Sequence, residues 1–561
     1  MLKIPQVGFN SMLKKGAQSF SGLEEAVLRN INACIELTEL TRTSLGPFGM
    51  NKIIINQIEK LFVTKDASTI VKELSVEHPA ARIIVLASQQ QDREIGDATN
   101  FVIIFAGELL KQALSLFQLG LHPNDVITGF NDACEKALTS LGDLECYRLK
   151  NFKDVDEVAK CLKTSIGSKQ YGYEDFLARL VARACVDVCP ASHQRFNVDN
   201  IRVTKIPGGS ILDSSIVNGM VLQRAVEGTI THVEDAVVAV YSCPVDISRT
   251  ETKGTVLIRT GKELENFSNN EEAALEQIIR EISLSGINVV VTGSQIGDMA
   301  LHFCEKYCIM VVRVQSKFDL RRLSNAIGAT PLARLGAPMA EEVGRCDSIK
   351  LTEIGDENVV LFSQSIVPCH FFLSNFVITA YSEDKSTVVS TIILRGATSN
   401  ILDDTERAID SAVNTYKQLS RDARMIPGAA ASELELARMV NQYGTSILGL
   451  SQYAVKSFAK AFEVIPTTLA HNAGKNSSEL LSKMHAVHSS GSVWDGLDVN
   501  DDGVSLCNAK DVGILDLLIA KHYAIRLATE AATTILSIDQ IIMARKSGGP
   551  KPRDNPNWDE D

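Results

Sequence analysis

No two of the twelve cysteines form a C-x-x-C pair. Cys185 with Cys189, and Cys304 with Cys308, have the i,i+4 spacing of a helix face, but neither pair comes with the further ligands of a zinc set. The cysteines therefore read as buried small hydrophobes in a reducing compartment. Basic residues are also short: 56 Lys and Arg stand against 68 Asp and Glu, a net charge of −12, which excludes a general nucleic-acid binder with a basic face. No G-x-x-x-x-G-K-[ST] loop and no compact acid–base set is present, which sets aside a metabolic kinase. No run reaches the roughly 18 apolar residues of a membrane span. The nearest, 366–381, is broken by Pro368, His370, Ser374 and Asn375. Residues 1–15 lack the continuous apolar core and cleavage site of a signal peptide. A soluble, cytoplasmic protein is expected.

What is present is ordinary in composition, 45% hydrophobic and 22% charged, in a chain of 561 residues. That length exceeds one hydrophobic core and predicts two to four domains. Residues 1–20 read as an extended arm. Helices are expected over 23–43 (Val27, Ile31, Cys34, Ile35 and Thr38 on one face), 79–91, 101–116, 127–141, 155–162 and 173–188. From about 197 the texture becomes β-rich, with strands over 201–206, 215–222 and 236–241. An alternation of helix 271–285, strand 288–293, helix 297–307, strand 309–314 and helix 317–327 then reads as a separate α/β domain ending near 357–362. A strand over 386–394 leads back to helices over 402–419, 432–443 and 517–537, with Asp403-x-x-Glu406 as a candidate capping box. The tail 547–561, rich in Gly, Pro, Asp and Asn, reads as disordered. Helical texture at both ends around an α/β block predicts nested insertions, with the two ends of the chain meeting in one domain.

Several stretches carry candidate chemistry. In I-G-D-A-T-N-F at 95–101, a carboxylate (Asp97) and a hydroxyl (Thr99) open a long apolar helix. Its exposed N–H groups suit phosphate, and a neighbouring Asp suits Mg²⁺. The bland alternative is a helix cap without ligand. The Gly-Pro break S-L-G-P-F-G at 44–49 lets backbone approach a ligand, or is a plain turn. Asp66, in T-K-D-A-S-T, is either a helix N-cap or a catalytic carboxylate; taken locally, the cap reading leads. Residues 164–169 read as a polar loop in which Lys169 reaches an anion or is merely solvated.

These pieces, in this order, resemble the group II chaperonins across nearly the whole chain. The likeness rests on L-G-P-F-G-M-N-K (45–52), T-K-D-A-S-T (64–69), G-D-A-T-N (96–100), T-E-T-K-G-T (250–255), L-R-G-A-T (394–398), P-G-A-A-A-S-E (427–433), A-x-N-A-G (470–474) and A-T-E-A-A (528–532). Within that family the chain is most similar to the hetero-oligomeric chaperonin of the eukaryotic cytosol, through S-K-Q-Y-G (168–172), S-K-F-D-L-R-R-L (316–323) and the stretch 538–552. The resemblance implies a multidomain α and α/β chaperonin fold. A mainly helical equatorial domain would come from 1–142 and 401–546. An intermediate hinge domain would come from 143–204 and 365–400. An α/β apical domain over 205–364 would meet clients and carry a lid protrusion near 242–270. It also implies a double ring with seven other paralogous subunits, ATP and Mg²⁺ as cofactors, and unfolded clients of the actin and tubulin class.

By motif position, the resemblance implies that Leu45 and Gly46 contact phosphate through backbone and that Asp97 holds Mg²⁺. Ala98, Thr99, Asn100 and Phe101 would line the phosphate site, and Asp66 would orient the attacking water. Gly167, Ser168 and Lys169 would sense the γ-phosphate. Gly428 and Ala429 would pack by the ribose, Asp516 would bind its hydroxyls, and Lys521 would lie nearby. Four departures stand out. Ser411 occupies the place of the family's second catalytic carboxylate, and neither Asp410, about 100° round the helix, nor Asp404, about 10 Å earlier along it, is a ready substitute. This predicts ATP binding with slow hydrolysis. Ala98 and the pair Ala429-Ala430 stand where the family has glycine, and 365–382 has no family counterpart.

Overall fold

The computed structural model describes residues 18–21, 26–190, 196–246, 260–364, 389–500 and 505–543. The chain divides into two compact units, Met1–Tyr147 with Met425–Asp561, and Arg148–Arg424.

In the first unit, strand β1 (Gln18–Ser21) precedes helix α1 (Leu28–Arg42), which stops at the Gly46-Pro47 break. The hairpin β2 (Lys52–Ile55) and β3 (Leu61–Thr64) pairs Lys52 with Thr64, and Asn56 ties its turn by accepting from the Ile58 and Lys60 amides at 3.0 Å each. Helices α2 (Ala67–Glu73), α3 (Pro79–Glu94), α4 (Thr99–Gln118) and α5 (Pro123–Leu141) follow; Pro opens both α3 and α5, where its missing N–H costs nothing. Helix α4 is the centre of the core. By length and composition it, rather than 366–381, comes nearest a membrane span among the described residues, yet residues 101–106 are all buried, and Phe105 packs on Phe101, Phe458 and Phe462 with ring centroids 4.6–5.5 Å apart. It is the central helix of a packed bundle rather than the surface helix of a strict one-sided pattern.

The second unit follows strand β4 (Tyr147–Arg148) with helices α6 (Val155–Gly167) and α7 (Glu174–Val188). Strands β5 (Ile201–Pro207), β6 (Ser215–Leu222) and β7 (His232–Tyr241), helix α8 (Gly261–Leu284), strand β8 (Val289–Thr292), helix α9 (Asp298–Lys306), strand β9 (Met310–Arg313) and helix α10 (Lys317–Ile327) come next. They are followed by β10 (Gly344–Ile354), β11 (Glu357–Ser363), β12 (Ser390–Gly396) and helix α11 (Ser399–Leu419). Eight strands form one sheet in the order β5-β12-β6-β11-β10-β7-β8-β9, parallel at both ends and antiparallel between. The four residues of β8 are all buried, as expected of a parallel strand covered on both faces.

The chain then re-enters the first unit through β13 (Arg424–Pro427) and helices α12 (Ala431–Ser446), α13 (Ser451–Ala461), α14 (Val464–Asn472) and α15 (Ser477–Ser489). Strands β14 (Asp495–Leu497) and β15 (Leu506–Asn508), the short helix α16 (Ala509–Val512), β16 (Leu515–Leu517), helix α17 (Leu518–Leu536) and β17 (Gln540–Met543) complete it. β17 pairs antiparallel with β1, Gln18 opposite Met543, so the two ends of the chain meet in one sheet.

Several expectations are corrected. The polar loop over 164–169 is mostly helix: α6 runs on to Gly167 because Ser165 and Ile166 are buried, and the Ser168 hydroxyl donates back to the Ser165 carbonyl at 2.8 Å. Asp403 and Glu406 cap nothing. The N-cap of α11 is Thr398, and both carboxylates instead grip the Lys205 ammonium, at 2.6 and 2.7 Å. Helix α8 begins ten residues before the expected 271, and β7 begins at His232 rather than 236. Cys308 is exposed rather than a buried hydrophobe, and Cys146, Cys189, Cys243 and Cys507 are half-buried. The unusual segment 365–382, the tail 547–561, most of the N-terminal arm and residues 247–259 of the expected lid segment lie outside the described residues.

Candidate nucleotide site

The start of α4 is shaped by backbone. Gly96 and Ala98 both take left-handed conformations, φ 80° and 61°, so the chain turns sharply between α3 and α4. The buried Gln91 on α3 holds this turn: its amide donates to the Asp97 carbonyl at 2.9 Å and to the Ala520 carbonyl on α17 at 3.2 Å. Asp97 Oδ1 accepts from the Ala98 amide at 2.8 Å, which fixes the carboxylate beside the first turn of α4. Thr99 is buried, and its carbonyl accepts from Ser88 at 3.4 Å.

The 44–49 loop lies against the same turn. Asn100 donates to Ser44 Oγ at 3.2 Å, while Asn472 at the end of α14 donates to the carbonyls of Leu45 (2.8 Å) and Arg42 (3.2 Å). Gly46, φ 83°, presses so closely on Leu469 that a Cβ there would stand 2.4 Å from Leu469 Cδ2. Lys65 donates to the Pro47 carbonyl at 3.0 Å and so ties the loop to the segment that carries Asp66. Asp66 is the N-cap of α2: its Oδ2 accepts from the Thr69 amide (3.0 Å) and hydroxyl (2.7 Å). The local cap reading is thus realised, in an almost buried carboxylate.

A third wall comes from the C-terminal part of the chain. β13 and β16 pair Ile426 with Asp516, and the Gly428 amide donates to the Ile514 carbonyl at 3.0 Å. A Cβ at Gly428 would lie 3.2 Å from Asp516 Oδ1. Ala429 and Ala430 are both left-handed, φ 53° and 62°, and the Ala429 carbonyl accepts from Leu497 of β14 at 2.9 Å. Lys521, on the first turn of α17, contacts Glu433 Oε1, lies 3.2 Å from Asp516 Oδ2, and stands 4.7 Å above the Phe101 ring. Burial pushes the Asp516 carboxyl up; Lys521 opposes this, while the charges of Glu433 and Asp97 add to it. For Lys521, burial favours the neutral amine, but the two carboxylates outweigh it and hold the ammonium above its ordinary range.

Leu45, Gly46, Asp97, Ala98, Thr99, Asn100, Phe101, Gly428, Ala429, Asp516 and Lys521 are therefore linked in the first unit by hydrogen bonds, packing and charge, with Asp66 tied in through Lys65. Gly167, Ser168 and Lys169 belong to the second unit, where the Lys169 ammonium donates to Ser411 Oγ at 2.5 Å. Gln91, Glu433 and Asn472 were not singled out from the sequence, although Glu433 and Asn472 fall within the motifs P-G-A-A-A-S-E and A-x-N-A-G. Among the described residues no three His, Cys, Asp or Glu side chains form a metal-holding group. The donor set fits Mg²⁺ bound by one carboxylate together with phosphate, not an all-protein cage. Asn100 Oδ1, beside this turn, is buried without a hydrogen-bond partner.

A sequence profile described as the TCP-1/cpn60 chaperonin family matches residues 37–546. The T-complex protein 1 subunit theta of Homo sapiens is 51% identical over 562 residues, covering 100% of this chain and 99% of the relative. The proteins of that name from Caenorhabditis briggsae (48% over 561 residues, 100% and 99% covered) and Dictyostelium discoideum (46% over 546 residues, 97% and 98% covered) are similar at nearly full length. Together with the gathered motifs, these likenesses show that the chain belongs to the TCP-1/cpn60 chaperonin family, among relatives named as theta subunits.

Proposed function

We propose that the chain is an ATP-dependent chaperonin subunit that works in a hetero-oligomeric double ring with seven paralogous subunits in the cytoplasm. The ring encapsulates unfolded proteins of the actin and tubulin class. The observation that carries the nucleotide reading is the convergence of four remote segments on the N-terminus of α4, hydrogen-bonded to one another by Gln91, Asn100 and Asn472. In this reading the first unit is the nucleotide-binding domain, and the second, which includes α11 although the sequence bounds 401–546 had put that helix in the first, holds the hinge and the client-facing domain.

The roles follow from the side chains. Asp97 holds Mg²⁺, which neutralises phosphate charge when bound. Leu45, Gly46, Thr99 and Asn100 receive phosphate at a helix start, Asp516 receives the ribose, and Asp66 orients water. Ser168 and Lys169 sense the γ-phosphate.

A second reading, a subunit that binds nucleotide but hydrolyses it poorly, is favoured by one observation: at the second catalytic position Ser411 offers a hydroxyl, already taken by the Lys169 ammonium. A hydroxyl of ordinary basicity does not serve as a general base at neutral pH, and a positioned base is worth roughly 10²–10⁴ in rate. The test is ATP turnover by the assembled ring with this subunit as wild type, Ser411→Asp or Asp97→Ala. Ser411→Asp is expected to raise turnover at this subunit, and Asp97→Ala to abolish nucleotide labelling there. No gain with Ser411→Asp rejects the poor-hydrolysis reading; undiminished labelling with Asp97→Ala rejects the site.

A further inference from the structure

The geometry points to Glu433 and Lys521 as positioning residues that aim one oxygen of Asp516 at a sugar hydroxyl, so that this site selects a ribonucleotide over its deoxy counterparts. The inference rests on the nucleotide reading above and adds what the site discriminates.

Glu433 is buried at 2% exposure, and both its oxygens are engaged: Oε1 by the Lys521 ammonium and Oε2 by the Ser432 hydroxyl at 2.9 Å. Lys521 is thereby held on three sides, by Glu433, by Asp516 Oδ2 at 3.2 Å and by the face of Phe101 at 4.7 Å. A cation so enclosed has its charge spent within the protein and is a poor phosphate ligand. What it does is fix the Asp516 side chain by one oxygen. The other, Oδ1, lies on the side of Gly428, where a Cβ would stand 3.2 Å from it. An acceptor-only carboxylate oxygen, locked in orientation, reads a hydroxyl and has nothing to offer a C–H. Without Glu433, Asp516 is the one carboxylate left to Lys521, beside the Phe101 face, and the ammonium can draw it out of line.

The test uses the assembled oligomer. Photo-crosslinking of labelled ATP to this subunit is competed by unlabelled ATP, 2′-deoxy-ATP and 3′-deoxy-ATP. Wild type is expected to prefer ATP over at least one deoxy analogue by roughly 10- to 100-fold, the range of a hydrogen bond to a charged acceptor. Glu433→Gln and Lys521→Met are expected to bring that ratio below about 3-fold on the same reasoning, whereas Lys521→Arg, which keeps the cation, retains it. Equal competition by all three nucleotides in wild type overturns the proposal even if no variant assembles, and so does an unchanged ratio in Lys521→Met. Absence of ATP crosslinking in wild type instead rejects the nucleotide reading.

Discussion

Ala98, Ala429 and Ala430 adopt left-handed backbone at turns beside the candidate site, with φ between 53° and 62°. An L-residue with a Cβ is strained there by about 1–2 kcal/mol. Glycine relieves that strain, but its freer unfolded chain returns about 0.5–1 kcal/mol. Ala98→Gly is therefore expected to stabilise the first unit by about 0.5–1 kcal/mol, seen as a higher denaturant midpoint with unchanged slope. No rise in the midpoint would mean that the turn tolerates its Cβ at no cost. The strain persists because the turn is over-determined: Gln91 holds the carbonyl before Ala98, and the Asp97 carboxylate holds its amide.

Two close contacts join elements within the first unit. Helices α1 and α4 approach so closely that a Cβ at Gly107 would stand 2.0 Å from Thr38 Oγ1, and Thr38 is itself hydrogen-bonded to the Cys34 carbonyl at 2.8 Å. Gly107→Ala improves helix propensity yet is expected to destabilise by roughly 1–3 kcal/mol through overpacking, measured by denaturant unfolding. Helices α12 and α15 and strand β14 are joined through His488, buried at 3% exposure, whose Nδ1 faces Glu435 Oε2 at 3.1 Å and whose Nε2 faces the Asp495 carbonyl at 2.9 Å. Burial pushes the Glu435 carboxyl up, but His488 and the Arg438 guanidinium outweigh it and hold the group at about 2, against an ordinary value of 4.5. A folded-state value below the unfolded one favours folding above the unfolded value and loses that contribution as pH falls. The first unit should therefore lose roughly 3 kcal/mol as pH drops from about 4.5 to about 2, and Glu435→Gln should flatten that part of the stability–pH profile. An unchanged profile in Glu435→Gln would assign the acid sensitivity elsewhere.

At the scale of the molecule, the chain holds two units with their own apolar interiors. The first centres on α4, and the second has buried layers on β7, β8 and β9. Separate cores predict separate cooperative transitions. Calorimetry of the isolated chain is expected to give a measured unfolding enthalpy above the van't Hoff value, and Gly107→Ala should shift only one component. A single transition with equal enthalpies would show that the units unfold together. The first unit is built from both ends of the chain, so its contacts have high sequence separation; Gln91 to Ala520 spans 429 residues. Such closure is entropically expensive and slows folding.

The sequence by itself determined the local elements and the places where chemistry was to be sought. Periodicity alone placed α10 at 317–327, ended by Gly328 with φ 72°, and β6 at 215–222. Lineage of motifs located the turns at 46, 97 and 428, because such turns depend on short stretches of particular residues. Only the tertiary structure decided which remote groups meet. That Gln91 spans to α17, that Lys521 meets Glu433 and Phe101, and that Asp403 and Glu406 bind Lys205 instead of capping a helix are long-range pairings with no local period. The physical reason is burial. A charged or amide group removed from water must find a partner wherever the fold supplies one, and that requirement is invisible in any window a few residues wide.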